Sequence, residues 1–241
     1  MRPLPIGLGL LLSAFLVPAT AFAQFDDRPD IWDLELGTDA AAIPRLNDQD
    51  YACGTNGGPP ATPLNSFADF GRCTPEPDGL REVQFRYDDE QEFVARAYEV
   101  AAWIERLSGT RPFGAPSIIS ALFDPEGVLR GLRIVTDNRV SDEQRAAANT
   151  YRYQFKNRYG LDGWECVETP PDQTRQPVGD TFVDERCAKS VDGLNVLVAA
   201  RYYRRPGERT IDPVNGRVTI GLFESSARLE VYQGPYLPAV E

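Results

Sequence analysis

Histidine is missing from all 241 residues. Its absence removes Ser-His-Asp and Cys-His catalysis and every His-ligated metal site. Methionine occurs once, as Met1, which excludes a Met-rich copper site. Lysine is nearly absent too: of 25 basic residues, Lys156 and Lys189 are the two lysines and the rest are arginine. No G-x-S-x-G, P-loop, G-x-G-x-x-G or H-E-x-x-H segment occurs, so the common nucleophile, nucleotide and zinc chemistries have no anchor. A pair of carboxylates acting as acid and base remains conceivable, but among 36 acidic residues the sequence singles out no pair. The chain reads as non-catalytic, with no cofactor and no bound metal expected.

Apolar residues make up 42% and charged residues 25% of the chain, ordinary values for a folded protein with a real core. Residues 1–23 read as a signal peptide: Arg2 supplies a positive start, Ile6–Val17 is a short apolar run, and Ala21-Phe22-Ala23 fits a cleavage site. The apolar run is shorter than the roughly 20 residues that span a bilayer, and no later stretch is long enough, so no membrane insertion is expected. Arginine-for-lysine usage of this kind suits a GC-rich bacterium. The expected location is therefore the periplasm, with the mature chain starting at Gln24.

Four cysteines lie after that segment, Cys53, Cys73, Cys166 and Cys187. An even number in an oxidising compartment predicts two disulfides rather than a redox or metal set, since no C-x-x-C spacing occurs. Their surroundings repeat. Aromatic-x-Cys is found at Tyr51–Cys53 and at Trp164–Cys166, and 19 and 20 residues separate the members of the two pairs. Arg72-Cys73 and Arg186-Cys187 are each followed, after four residues, by Asp-Gly-Leu, and Leu122-Phe123-Asp124 is answered by Leu222-Phe223-Glu224. The pattern predicts Cys53–Cys73 and Cys166–Cys187 linkages. It also predicts an α+β fold of two tandem homologous units, 24–139 and 140–241, each a helix packed on an antiparallel β-meander with one disulfide.

In the second unit Ser141 caps a helix whose stripe is Ala147, Tyr151, Phe155 and Tyr159, ended by Gly160. Strands are expected at Gly163–Val167, Phe182–Ala188, Leu194–Tyr203, Arg217–Phe223 and Ala227–Tyr232. In the first unit Thr38 caps a short helix ended by Pro44, and strands follow at Tyr51–Gly54, Asp69–Cys73, Leu80–Tyr87, Ser117–Phe123 and Val128–Val135. An insertion carries Phe93, Ala97, Val100, Ile104 and Leu107 at helical spacing, capped by Asp88. This plan is similar to that of tandem-repeat exported inhibitors of the β-lactamase-inhibitor type, whose repeats each carry a disulfide. The helix start associated with that fold, Gly-Met-Ser/Thr, is represented here by Gly37-Thr38-Asp39. The resemblance concerns architecture only.

Net charge is −11 for the whole chain, with −10 over 24–140 and −2 over 141–241. Such a surface repels phosphate backbones, so no nucleic acid is expected as a partner, whereas a cationic partner would be drawn to it. The sharpest local feature is Arg201-Tyr202-Tyr203-Arg204-Arg205, because Arg and Tyr dominate binding hot spots and clustered arginines clamp oxyanions. Arg201, Tyr202, Arg204, Arg205 and Trp103 are taken as ligand-binding candidates, with Asp69, Phe70 and Arg72 as weaker ones. The Asp88–Glu92 run reads as the acidic start of a helix and not as a calcium loop. Ile31 and Trp32 are expected to anchor an acidic N-terminal arm. The loops Gly54–Leu64 and Glu168–Gly179, pinned by the disulfides, form a second recognition surface. Together these features point to an exported accessory, adaptor or inhibitor that recognises a protein or small ligand through its pinned loops and the groove between units. The alternatives are a carboxylate-based hydrolase of a cell-envelope polymer and a structural envelope component.

Overall fold

The computed structural model describes residues 31–44, 49–87, 97–98, 111–140, 145–207, 209–211, 216–220 and 223–237. Eleven strands occur there: β1 (Gln49–Cys53), β2 (Pro63–Leu64), β3 (Arg81–Tyr87), β4 (Ser117–Phe123), β5 (Leu129–Thr136), β6 (Glu165–Glu168), β7 (Val183–Val191), β8 (Leu194–Arg204), β9 (Arg209–Ile211), β10 (Val218–Ile220) and β11 (Phe223–Gln233). Nine of them form one antiparallel sheet in the order β2-β1-β3-β4-β5-β11-β8-β7-β6, and β9 pairs with β10 apart from it.

This corrects the expectation of two helix-on-meander units. β5 and β11 are hydrogen-bonded neighbours, registered from Arg228 opposite Val135 to Tyr232 opposite Gly131. One apolar cluster crosses that seam: Val83, Phe85, Ile119, Phe123 and Ile134 belong to the same core as Val196, Val198, Leu229 and Val231. The physical reason lies in the edges. Standing alone, each half would leave a long apolar strand with an unpaired backbone, and pairing β5 with β11 removes both liabilities at once. Alternation along the strands puts the apolar set on one face. That face is covered by Ile31, Phe67 and Phe155, with Trp32, Leu36, Tyr151 and Tyr159 packed around them. Phe67 sits edge-on to Tyr51 and Phe85, with ring centroids 4.9 and 5.1 Å apart.

Among the described residues helix is scarcer than expected. In the second half a 3-10 turn at Ala148–Thr150 leads into α1 (Tyr151–Arg158). Of its expected stripe, Tyr151, Phe155 and Tyr159 pack on the sheet, with Phe155 fully buried, whereas Ala147 is exposed ahead of the helix; Gly160 follows with φ +84 as a helix terminator. Ser141 lies outside the described residues. The helix expected from Thr38 is instead a set of turns with an isolated bridge between Asp39 and Val128. There the Asp39 carboxylate accepts from the Ala41 N–H at 2.8 Å, a local bond that competes with helix formation. The expected strand Asp69–Cys73 is a 3-10 helix, Phe67–Arg72. Arg217–Phe223 is divided between β10 and the start of β11. The insertion helix from Phe93 to Leu107 lies outside the described residues except for 97–98, as do Trp103, the Asp88–Glu92 run and the signal segment.

Both disulfides have formed, Cys53–Cys73 and Cys166–Cys187, and no free cysteine remains. They accord with maturation in an oxidising compartment. Each closes a loop of about 20 residues, worth on the order of 3 kcal/mol in a chain-entropy account. The second joins residues directly opposite each other on β6 and β7. The adjoining β7–β8 hairpin turns on Asp192-Gly193, both at positive φ (52° and 78°), the conformation a two-residue hairpin loop demands. No helix among the described residues is long and apolar enough to cross a membrane.

Candidate functional site

The strand positions that alternate with the core residues build the other face of the sheet, and it is not simply solvated. Glu82, Gln84, Ser120, Arg133 and Glu230 all lie on it, all buried. Leu132-Arg133-Ile134 on β5 and Leu229-Glu230-Val231 on β11 show the alternation, and Arg133 and Glu230 are directly paired in register. At one end the face carries a small apolar cluster of Leu80, Leu122 and Tyr232. Gly131 is required there, because a Cβ on it would stand 2.9 Å from the Val231 carbonyl oxygen.

Arg133 is the hub. Its Nη1 and Nη2 donate to the two oxygens of Glu76 at 2.6 and 2.9 Å, and its Nε donates to Glu230 Oε1 at 2.8 Å. Nη1 also lies 3.0 Å from Glu82 Oε2. Burial pushes the Arg133 pKa down, but the Glu76 hydrogen bonds and the charges of Glu82 and Glu230 outweigh it, and the pKa is raised. Burial likewise pushes the Glu230 carboxyl up, and Arg228 and Arg133 overcome it, holding it below the usual glutamate value. Arg133 and Glu230 therefore each favour the charged form of the other. Three polar atoms on this face are buried without a hydrogen-bond partner among the described residues: Glu82 Oε1, Gln84 Oε1 and Ser120 Oγ.

The loop after Cys53 folds over the hub. Asn56, at φ +60, donates its N–H to Glu82 Oε2 at 2.5 Å. Its carbonyl oxygen accepts from Arg228 Nη1 at 3.2 Å, and its side-chain oxygen accepts from Nη2. Gly57 comes so close to β5 that a Cβ would stand 2.6 Å from Val135 Cγ2. Beyond this latch opens a groove of about 460 Å³. Its floor is Val135 on β5, Arg228 and Ser226 on β11, and Leu197, Ala199 and Arg201 on β8, with Arg186 on β7 at the far side. The loop 54–57 and the segment 74–77 contribute the near wall.

Of the sequence candidates, Arg201 lines this groove and its side chain has no ion-pair or hydrogen-bond partner among the described residues. Tyr202, the next residue along β8, is directed to the opposite face by strand alternation. Arg204 donates to Gln176 Oε1 at 3.0 Å, and Arg205 donates to the Tyr203 hydroxyl at 3.3 Å. The five-residue run is therefore split, and Trp103 lies outside the described residues. Asp69 is occupied by the Asn65 N–H at 2.8 Å, and Phe70 packs on Phe123 at 5.7 Å between centroids. The loop 168–179 is stitched to the sheet, with Arg175 bound to Asp172 and Asp184. It borders a second, more open hollow in which Arg152 and Lys156 are both committed to Glu185 at 3.1 Å. Ile31 and Trp32 themselves pack on the body, with Ile31 fully buried and Arg158 stacked over the Trp32 ring at 3.8 Å; the arm before them lies outside the described residues.

The sequence alone did not point to Glu76, Glu82, Arg133, Arg186, Arg228 or Glu230. Each strand member looks like the solvent-facing half of an amphipathic strand. The available signal was a matched set of opposite charges, Arg133 and Glu230, both flanked by apolar residues. In comparisons with known proteins, no family model, curated protein or solved structure matches the chain.

Proposed function

We propose that this chain is an exported, periplasmic and non-catalytic binding protein, an accessory, adaptor or inhibitor, whose ligand or partner seats in the groove on the polar face of the sheet. One observation carries the reading: a rigid charged floor is held in place by the Arg133 hub, so the groove is ordered before anything enters it. Pre-ordering lowers the entropy cost of recognition. The side chains there favour binding over chemistry. A general acid needs a raised carboxyl pKa, whereas Glu230 is held low by two arginines. The signal-like segment, the two disulfides and the acidic composition support export.

Native mass spectrometry of the mature protein isolated from its own source tests this against an Ala199→Trp variant. Ala199 is small and half-exposed in the groove floor, so the indole fills the groove without entering the core. The expected result is an added mass on the wild type that the variant lacks. A mass retained by the variant would move the site elsewhere. A turnover that one carboxylate substitution abolishes would replace binding with catalysis.

A further inference from the structure

We propose that the Cys166–Cys187 disulfide is a thiol-exchange site, opened by a dithiol while the fold around it persists, and that Cys53–Cys73 is not. The inference does not depend on the groove. It concerns the other face of the sheet, where β6 and β7 meet α1: Cys187 is registered with Val198, and Val198 with the core residue Leu229.

Loop length treats the two bonds alike, with sequence separations of 20 and 21. Their surroundings differ. Cys53 and Cys73 are 5% and 3% exposed and belong to the main apolar core. A reagent reaches that pair only when the core opens. Cys187 is just as buried, but its partner Cys166 is exposed, on an outermost strand whose four residues are all exposed. Exchange begins by attack of a thiolate on one sulfur of the bond, so one open sulfur is enough.

The charges beside that sulfur suit the reaction. Lys156 Nζ lies 3.9 Å from Cys166 Sγ. Lys156 and Arg152 share Glu185, each at 3.1 Å, so the three groups together carry one net positive charge. Positive charge draws in an attacking thiolate and stabilises a departing one. In the first step a thiolate of the reagent bonds to Cys166 Sγ, the S–S bond breaks, and the Cys187 sulfur leaves with the electron pair and takes a proton from solvent. In the second step the other thiol of the reagent, as thiolate, attacks the mixed disulfide and releases Cys166 as a thiolate next to Lys156. The dithiol is oxidised to its disulfide, and the chain gains the two electrons and two protons.

What the bond holds is local. β6 pairs with β7 along its four residues and runs on into the loop 168–179, where the Thr169 N–H donates to the Asp184 carbonyl at 2.8 Å. Neither Cys166 nor Cys187 is a member of the main apolar cluster. Opening the bond therefore loosens β6 and its loop and leaves the core closed.

The test treats the mature, oxidised chain with graded dithiothreitol at mildly alkaline pH, quenches with iodoacetamide and maps the labelled cysteines by peptide mass spectrometry. Cys166 and Cys187 should label at least about tenfold faster than Cys53 and Cys73. The rate should rise in proportion to dithiothreitol and ignore low urea, because direct attack needs no unfolding. In the opened chain, hydrogen exchange at the Thr169 amide should quicken while the Ile134 amide, in the middle of the sheet, keeps its rate. The proposal falls if all four cysteines label together or Cys53–Cys73 opens first. It falls as well if labelling stops responding to dithiothreitol and climbs with urea, or if exchange at Ile134 quickens with that at Thr169, since either result would mean that the bond opens only as the whole chain unfolds.

Discussion

Replacing Arg133 by Met removes the hub while keeping most of its volume. Arg133 is 3% exposed, and so are Glu82 and Glu230. The three carboxylates it serves would not suffer equally. Glu76, with a side chain 20% exposed, can turn to water. Glu230 keeps Arg228, whose Nε lies 2.8 Å away. Glu82 keeps only the Asn56 N–H and becomes a buried charge without a cation. Breaking a buried pair from one side costs about 3–5 kcal/mol, and for a domain of this size that lowers the melting temperature by roughly 6–20 °C. Adding Glu82→Gln to Arg133→Met should return a large part of that loss, because the orphaned charge goes with it. Urea unfolding with both disulfides intact measures both the single and the double variant. A deficit for Arg133→Met under about 1 kcal/mol, or a double variant weaker than the single, would show that the hub is not what holds this face together.

Two further outcomes follow from the same groups. The Glu230 carboxyl, whose ordinary value is 4.5, is held lower in the fold by Arg228 and Arg133 against its burial, and Asp124 is held low by Arg130 and the Val128 N–H against its own. The stability they add is fully present above their unfolded values and is lost as pH falls through the folded ones. Melting temperatures measured from pH 7 to pH 2 should therefore drop below about 4.5, and Arg228→Gln should flatten the drop. Gly57→Val, at φ +82 and with a Cβ 2.6 Å from Val135 Cγ2, should cost about 1–3 kcal/mol and loosen the Asn56 latch. Faster hydrogen exchange at the Asn56 amide would report the loosening, and unchanged exchange with unchanged stability would refute the close packing.

Much of the strand content was legible because the longer strands carry β-branched or aromatic residues and are bounded by turns. Ser117–Phe123 emerges at its expected bounds, and the two linkages followed from cysteine spacing. The joining of the halves was not legible. Nothing local in Leu129–Thr136 or Phe223–Gln233 says that each will be the other's neighbour, since pairing is a long-range property of two edges. The repeated Asp-Gly-Leu was real as turn chemistry at Gly79 and Gly193, both at positive φ, but turn chemistry recurs without dictating separate bodies. The buried polar face was hidden for a related reason. Period-two alternation marks Glu82, Arg133 and Glu230 as lying off the core face, and it carries no information on whether that second face meets water. Arg201-Tyr202-Tyr203-Arg204-Arg205 looked like one patch because its residues are consecutive, yet a strand sends consecutive side chains apart.

The outermost strands bear on how this molecule meets copies of itself. A sheet nine strands wide would, with long bare margins, invite further strands to add on without limit. Among the described residues one margin is β2, two residues long and beginning with Pro63, which has no N–H to offer a newcomer. The other is β6, four residues with a glutamate at each end, tied to β7 by Cys166–Cys187 so that it cannot peel away and expose the longer strand behind it. An approaching strand finds too few backbone groups on one side and two like charges on the other. Among the described residues the sheet is wide but guarded at both ends, which steers assembly between copies toward surfaces other than those margins.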